Sequence, residues 1–398
     1  MAFNFEQIVN RRGTGSYKWD SVPEDVLPLW VADMDYPVAP AIQKAVQTRA
    51  AHPVFGYTKV MDSYYDAIIS WYHRRHGWDI DRKWILYTQS VVPALSCTLK
   101  ALTLPGEKVM TFTPAYNCFF SSIANQGCQL DEVPLVRESD SYVIDFDLLE
   151  EHCSDEKATV LLLCNPHNPT GRVWTPAELE KIGEICERHH VIVVSDEIHC
   201  EIIMPGYTFT PFAAVNERNQ SIAVTLQSPS KSFNTAGLQI ANIITSQDGW
   251  RRRIDRMINV YEVCDVNPFG PVALEAAYNE SEDWLKELNE HIASNYQYLK
   301  DFFREELPMA EVIRMEGTYL AWIDIMAFEL TSDEAADACL RDGKVKICSG
   351  TLYGRRTGQG YLRINLACPR ETLKQGLIRV ARVLSQYCDE PENEGCPA

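Results

Sequence analysis

The sequence predicts an α/β protein with two parts: a large domain built on a mainly parallel sheet covered by helices, and a smaller α+β domain. Short apolar runs at 84–88, 108–113, 160–164, 191–195, 221–227 and 239–245 have the length and composition of buried strands. Helical patterns begin near Gln89 and at Thr175, each after one of these strands. Strands that alternate with helices are typical of a parallel sheet with helices on both faces.

The chain also divides by composition. We expect an N-terminal arm at 1–45, the large domain at 46–285 and the small domain at 286–388. The small domain has strand patterns at 319–325 and 360–367, with a helix from Ser332 between them. Residues 248–307 are helical in period, apart from an interruption at 267–271, and should include a long helix that bridges the domains. Residues 389–398 have the composition of a disordered tail.

Charge and cysteine content narrow the function classes. The 37 Lys and Arg against 55 Asp and Glu give a net charge of -18, which disfavours binding to nucleic acid or to an anionic membrane surface. The 13 cysteines form no C-x-x-C pair, and several lie in apolar runs, as reduced core cysteines do. No apolar run is long enough to span a bilayer. We therefore expect a cytoplasmic protein that acts on a small molecule.

One lysine lies in a loop of small residues between two predicted strands. This residue, Lys231, stands in Gln-Ser-Pro-Ser-Lys-Ser-Phe-Asn, between the runs at 221–227 and 239–245. Strand ends are where α/β proteins hold their ligands, and a desolvated lysine there can act as an amine nucleophile toward an aldehyde. The neighbouring serine hydroxyls suit a phosphate. The alternative is an ordinary solvated loop lysine.

A second functional candidate follows the most apolar strand. Asp196 comes directly after Val191-Ile-Val-Val-Ser195, and a carboxylate at the end of a buried strand needs a cationic partner such as a protonated ring nitrogen. Asp196 could instead be a helix N-cap. A metal site formed with Glu197, His199 and Glu201 is disfavoured, because neighbouring residues of a strand point to opposite faces.

Two further strand ends carry polar or aromatic residues. The turn after 84–88 leads into a helix, so the N–H groups of Ser90 to Val92 could bind an anion, although an ordinary capped helix has the same pattern. Tyr116 follows 108–113 and could stack on a planar ring or cap the core. Asn168 follows 160–164 in Asn-Pro-His-Asn-Pro-Thr-Gly and could donate a hydrogen bond to a phenolate-like oxygen.

Two stretches outside the large domain offer substrate contacts. Trp30 and Val31 either pack the N-terminal arm against the core or line a substrate pocket. Arg363, in Leu-Arg-Ile-Asn, either belongs to a solvated strand face or clamps a substrate carboxylate. The glycine-rich run before it, 350–360, lacks the strand-before and helix-after context of a dinucleotide site.

These motifs together resemble the fold-type I pyridoxal-phosphate enzymes of the class I/II aminotransferase superfamily. The resemblance rests on three motifs in order: Asn-Pro-Thr-Gly at 168–171, Ser-Asp-Glu-Ile-His at 195–199 and Ser-Pro-Ser-Lys-Ser-Phe-Asn at 228–234. Four more stretches are similar to the MalY/PatB branch of cystathionine β-lyases, or C–S lyases. They are Arg-Arg-Gly-Thr-Gly-Ser-Tyr-Lys-Trp-Asp, Leu-Pro-Leu-Trp-Val-Ala-Asp-Met-Asp, Val-Val-Pro-Ala and Tyr-Gly-Arg-Arg-Thr-Gly-Gln-Gly-Tyr-Leu-Arg-Ile-Asn.

The resemblance implies pyridoxal 5'-phosphate as cofactor and a role for each motif residue. Lys231 would hold the cofactor as a Schiff base, and Asp196 would pair with its pyridinium nitrogen. Asn168 would bond the phenolic oxygen, with His199 beside it, and Tyr116 would stack on the ring. The cofactor phosphate would contact Ser90, Val91, Val92, Ser228 and Ser230, with Tyr57 added from the second subunit of a homodimer.

The same resemblance assigns catalysis and substrate binding. Lys231, Asp196 and Tyr57 would be the catalytic residues, and Arg363, Trp30 and Asp33 would bind the substrate. The expected reaction is α,β-elimination from cystathionine or another L-cysteine S-conjugate. An aminotransferase stays open as an alternative, and so does a regulator that binds another protein.

Two positions bear on these alternatives. His199 stands where many aminotransferases have tyrosine, which favours the lyase. Gln89-Ser90 stands where the family usually has a glycine-containing turn, so the resemblance does not decide which groups of this turn contact the phosphate.

Overall fold

A computed structural model of the chain describes residues 3–387. Its largest feature is a seven-stranded sheet. The strands lie in the spatial order β2 (Ile85–Thr88), β10 (Ala241–Ile244), β9 (Ala223–Gln227), β8 (Ile192–Asp196), β7 (Ala158–Cys164), β3 (Lys108–Thr113) and β4 (Gln129–Pro134). The pairs from β9 to β4 are parallel, whereas β10 is antiparallel to both β9 and β2. A second, antiparallel sheet has the order β11 (Glu311–Val312), β12 (Leu320–Asp324), β15 (Tyr361–Asn365) and β14 (Cys348–Ser349). The α/β class with a mainly parallel sheet is therefore confirmed.

The strands are β1 (Leu27–Pro28), β2 (Ile85–Thr88), β3 (Lys108–Thr113), β4 (Gln129–Pro134), β5 (Val136–Glu138), β6 (Ser141–Val143), β7 (Ala158–Cys164), β8 (Ile192–Asp196), β9 (Ala223–Gln227), β10 (Ala241–Ile244), β11 (Glu311–Val312), β12 (Leu320–Asp324), β13 (Val345–Lys346), β14 (Cys348–Ser349) and β15 (Tyr361–Asn365). The helices are α1 (Tyr17–Asp20), α2 (Pro40–Ala51), α3 (Asp62–His76), α4 (Val91–Leu102), α5 (Asn117–Asn125), α6 (Phe146–Cys153), α7 (Pro176–Arg188), α8 (Glu217–Ile222), α9 (Asp248–Val260), α10 (Phe269–Glu280), α11 (Glu282–Glu306), α12 (Ser332–Arg341) and α13 (Arg370–Leu384).

The apolar runs of the sequence account for the central strands. Strands β3, β7, β8, β9 and β10 are buried along most of their length, as expected for a sheet covered on both faces. The helix at 175–189 also forms as predicted: Thr175 and Glu178 make a capping box, and Pro176 is the first residue of α7. The long helix expected within 248–307 is α11, 25 residues in length.

The sequence patterns did not predict the elements that bury little apolar surface. Helix α2 lies partly in the expected N-terminal arm, and its only fully buried residue is Ile42, so it shows no apolar stripe in the sequence. Strand β4 has one buried residue, Val133. The domain boundaries at 46 and 286 stay a prediction, and the expected tail at 389–398 lies outside the described residues. Within 3–387, no helix is both long and apolar enough to cross a membrane.

The glycine-rich run at 350–360 is a close backbone contact. A Cβ atom on Gly350 would lie 2.1 Å from the Gly358 carbonyl oxygen, and one on Gly358 would lie 1.9 Å from the Gly350 oxygen. The turn packs the ring of Tyr353 against the Arg363 guanidinium, 4.6 Å from its centre, and the Tyr353 carbonyl accepts a bond from Ala115 N. The run thus connects the four-stranded sheet to the end of β3, next to Tyr116.

Candidate active site

The carboxyl ends of β3, β7, β8 and β9 surround one cavity of about 240 Å³. Parallel strands end at the same sheet edge, so residues that follow them in sequence converge there. The cavity is lined by eleven of the fourteen residues that the sequence nominated: Ser90, Val91, Val92, Tyr116, Asn168, Asp196, His199, Ser228, Ser230, Lys231 and Arg363. Strand-end position was thus a good guide to the lining of this cavity.

Lys231 lies in the loop after β9, and its amine points back to the N-terminal segment. Its Nζ donates a hydrogen bond to the Ala32 carbonyl oxygen at 2.6 Å. Burial lowers the pKa of this amine, Asp33 opposes that effect, and Arg363 adds to it. A lysine in such surroundings holds a larger neutral, nucleophilic fraction at neutral pH than a solvated lysine does.

Asp196 is the last residue of β8 and is 4% exposed. Its Oδ1 accepts a hydrogen bond from Ile198 N at 3.2 Å, and among residues 3–387 no cation lies within ion-pair distance of the carboxylate. Burial raises the pKa of Asp196 to about 7. The site therefore contains an acid whose charged form lacks a protein partner.

Arg363 also lines the cavity, and it is a buried cation without an anionic partner in the described residues. It lies on β15, is 4% exposed, and has no carboxylate partner in the described part of the chain. Its Nη1 donates to Asn168 Oδ1 at 3.2 Å and its Nη2 to the Trp30 carbonyl at 2.9 Å, whereas Nε has no hydrogen-bond partner. A buried guanidinium without an anion is a ready site for a carboxylate.

One end of the cavity is suited to a phosphate. Helix α4 begins at Val91, and its N-cap residue Ser90 makes no side-chain capping bond, so the first N–H groups of the helix remain available. On the facing loop, Ser228 donates its hydroxyl to the Ile240 carbonyl at 2.6 Å and accepts a bond from Ser230 N at 3.1 Å. That arrangement fixes the serine loop beside the helix N-terminus.

His199 is buried in the wall of the cavity, three residues after Asp196 in the sequence. Burial lowers its pKa to about 3, and the positive charges of Lys231 and Arg363 act in the same direction. Its ring is therefore neutral at neutral pH, and its Nδ1 has no hydrogen-bond partner within residues 3–387. The nearby Glu201, part of the disfavoured metal alternative, is held instead by Arg75 and His76, each at 2.8 Å.

Three nominated residues lie outside the cavity lining. The Trp30 ring packs against Lys346, with Nζ 3.8 Å from its centre, and Asp33 forms an ion pair with Arg11 at 2.7 Å. Tyr57 is 95% exposed. The substrate-binding roles of Trp30 and Asp33 and the cross-subunit role of Tyr57 stay predictions.

Sequence reasoning also missed contacts to the site. The Ala32 carbonyl binds both Lys231 Nζ and, at 3.0 Å, the Tyr319 hydroxyl. Tyr319 packs edge-on against His199, with the ring centres 5.9 Å apart. A backbone carbonyl has no residue-type signal, but Ala32 does stand in the quoted stretch Trp-Val-Ala-Asp, which could have drawn attention to it.

Comparison with known proteins assigns the family. The model of the family described as aminotransferase class I and II matches residues 24–380. The chain belongs to this family. It is 38% identical to cystathionine beta-lyase PatB of Bacillus subtilis over 96% of the chain and 100% of that protein. It is 32% identical to Protein MalY of Escherichia coli over 94% of the chain and 97% of that protein.

A solved structure agrees with this family assignment. Cystalysin from Treponema denticola, which contains a pyridoxal 5'-phosphate cofactor, superposes with a TM-score of 0.94 at 34% identity, over 97% of this chain and 100% of that one. The expected place of the chain in the MalY/PatB branch of the family is thereby confirmed.

Proposed function

We propose that the chain is a pyridoxal-phosphate-dependent carbon–sulfur β-lyase that cleaves cystathionine or another L-cysteine S-conjugate to a thiol, ammonia and pyruvate. The observation that carries the proposal is the convergence of Lys231, Asp196 and Arg363 on one cavity. Each of the three lacks a partner that a cofactor or an amino-acid substrate could provide. The Lys231 amine has a lowered pKa and suits an aldehyde, Asp196 has no cation beside it in the described residues, and Arg363 has no anion there.

The donor set fits pyridoxal phosphate. The unpaired Asp196 carboxyl suits a pyridinium nitrogen, the α4 N-terminus suits the phosphate, and Lys231 suits the aldehyde. When bound, the cofactor supplies an electron sink for the charge left on the substrate Cα. Asn168 uses Oδ1 to hold Arg363, so its amide donors are not consumed by that bond and can serve the phenolic oxygen.

The residues of the chain then divide the work of an elimination. Arg363 binds the substrate α-carboxylate and orients the Cα–H bond. Lys231 Nζ takes the Cα proton, and burial favours this role because it lowers the pKa of the amine and so raises its neutral fraction. The Cβ–S bond breaks, sulfur leaves with the bonding pair as a thiolate, and water then converts the three-carbon fragment to pyruvate and ammonia.

Elimination is favoured over transamination by the leaving group. A β-thiolate departs without a second substrate, whereas transamination requires return of the proton to the cofactor and exchange with a keto acid. The name of PatB, a cystathionine beta-lyase, supports the lyase. His199 is the position at which the sequence resembles the lyase branch rather than the aminotransferases with tyrosine there.

The two reactions separate in one assay. We expect L-cystathionine alone, without any keto acid, to give sustained release of pyruvate and free thiol in equal amounts, measured together in coupled and thiol-reagent assays. L-2-Aminobutyrate, which has no β leaving group, should release no pyruvate. Turnover of cystathionine that begins only when a keto acid is added would instead identify an aminotransferase.

We further propose a homodimer in which residues 54–61 meet the second subunit. Four large apolar side chains of this segment are at least half exposed: Val54, Phe55, Tyr57 and Met61. Next to them lies a groove of about 680 Å³ between α2 and α10, whose lining mixes small apolar residues such as Ala41 and Ala45 with charged residues such as Lys44 and Arg49. Exposed apolar surface of this kind marks an interface in most soluble proteins.

The dimer gives a prediction for Tyr57. Because the hydroxyl would reach the cofactor phosphate of the other subunit, Tyr57→Phe should weaken cofactor binding by about tenfold, as loss of one charge-assisted hydrogen bond does. Equilibrium dialysis measures this, with the exposed Tyr17→Phe as control. An active monomer in sedimentation experiments would contradict the proposal. A cytoplasmic location and a regulatory protein partner stay predictions without a structural observation to favour them.

A further inference from the structure

Residues 30–34, which we call the strap, cross the cavity next to Lys231. Every carbonyl of the strap accepts a hydrogen bond from a side chain. On the cavity side, Arg363 binds the Trp30 carbonyl at 2.9 Å and Lys231 binds that of Ala32 at 2.6 Å. Asn365 Nδ2 lies between them and binds the carbonyls of Val31 at 2.5 Å and Asp33 at 2.7 Å. Two of the three proposed key residues, Lys231 and Arg363, therefore donate hydrogen bonds to backbone carbonyls of the strap.

Four charged side chains hold the other side of the strap, and we call them the outer cluster: Arg11, Lys18, Asp33 and Asp35. Lys18 is completely buried, and its Nζ lies 2.8 Å from Asp35 Oδ2 and 3.6 Å from Asp33 Oδ1. Arg11 contacts both carboxylates at 2.7 Å and the Met34 carbonyl at 3.1 Å. Two positive charges thus face two negative charges, and the cluster is neutral as a whole.

We propose that the outer cluster is a positioning device for Lys231, in which Arg11 and Lys18 together neutralise Asp33 and Asp35, so that the Lys231 amine binds the uncharged Ala32 carbonyl rather than a carboxylate. The argument rests on the proposed role of Lys231 but adds residues that do not line the cavity. Lys18 and Arg11 are positioning residues, because they act on Lys231 only through the strap.

The electrostatic reason is that Asp33 is close enough to act on the Lys231 amine. Its negative charge favours the ammonium form, and Lys18 and Arg11 offset that charge at short range. The other charged or titratable groups near the amine are Asp196 on β8, His199 in the loop after β8, Arg363 on β15, Cys118 on α5 and Tyr319 before β12. Without Lys18, Arg11 alone would face the two carboxylates, and the net negative charge beside the strap would favour the protonated form of the Lys231 amine.

The test measures the reactivity of Lys231 in the full-length chain freed of cofactor. Short pulses of acetic anhydride at a series of pH values, followed by mass spectrometry of the peptide that contains Lys231, give the apparent pKa of this amine. We expect Lys18→Met to slow acetylation at neutral pH by about tenfold, a rise of about one pKa unit. Asp33→Asn should act in the opposite direction and speed acetylation, and the double variant should return to within about twofold of the parent.

These opposite signs distinguish positioning from a merely structural role. If the cluster only held the strap in place, either substitution would let water reach Lys231, and hydration would raise its pKa in both variants. Shifts of the same sign, or no shift, would overturn the proposal. Lys108→Met is the control, because it breaks a partly exposed Lys–Asp pair, with Asp155 at 2.6 Å, at the opposite end of β3 from the cavity. Since no cofactor is present, failure of the lyase assay would leave this result intact.

Discussion

Replacing Lys231 with alanine is expected to abolish the borohydride-sensitive visible absorption of the cofactor-loaded protein and to lower cystathionine turnover by about a thousandfold or more. The reason is that the proposed function gives the same amine two tasks: it binds the cofactor aldehyde and it takes the Cα proton. The loop after β9 offers no second lysine to replace it. Absorption spectra before and after borohydride treatment, with initial rates of pyruvate release, measure both effects.

Cofactor affinity should be affected much less than turnover in this variant. Asp196 and the N-terminus of α4 remain, so pyridoxal phosphate should still be retained without its covalent bond. Lys181→Ala is the matched control, because Lys181 lies on an exposed face of α7 and pairs only with Glu184 at 3.1 Å. A Lys231→Ala protein that keeps the borohydride-sensitive band would exclude Lys231 as the point of attachment.

The site residues that could be found from the sequence share a simple physical position. Lys231, Asp196 and Asn168 each follow a buried strand whose apolar run is unambiguous, and parallel strands bring such ends together. Arg363 was harder, because an arginine on a strand is normally solvated. It packs against Tyr353 in the preceding turn and binds the strap, and the contact with the strap joins residues 333 positions apart in the sequence.

The outer cluster could not be read from the sequence. Lys18 lies in a turn-rich polar stretch, where solvent exposure is the usual outcome, yet it is completely buried because two carboxylates from 33–35 surround it. The contacts of Tyr319 with Ala32 and His199 could not be read from the sequence either. They depend on a turn in which Thr318 has a positive φ of 69°. The local sequence pattern predicts helices, strands and strand ends. Contacts such as those of Lys18 and Tyr319 form only when segments distant in sequence pack together.

In the role proposed for it, Arg363 is a buried cation whose cost to stability is recovered when the substrate binds. Its guanidinium is buried beside Tyr353, binds Asn168 and the strap, and meets no anion in the described residues. An unpaired buried cation costs stability, and that cost is offset when a substrate carboxylate arrives. The positive charge also lowers the pKa of Lys231 until the carboxylate neutralises it. Substrate binding should therefore make the amine a stronger base when the Cα proton has to move.

We accordingly expect Arg363→Met to lower kcat/KM for L-cysteine S-conjugates by about a hundredfold or more, mainly through KM, because a buried charge-assisted pair with the α-carboxylate is lost. Arg363→Lys should retain part of the activity, since it keeps the charge but not the planar fork. The decisive measurement is binding of an S-substituted cysteamine, which lacks the carboxylate and should bind the parent and the Met variant equally. Arg304→Met, at an exposed position of α11, is the control. If the cysteamine loses affinity as strongly as the amino acid does, Arg363 supports the shape of the cavity rather than the substrate carboxylate.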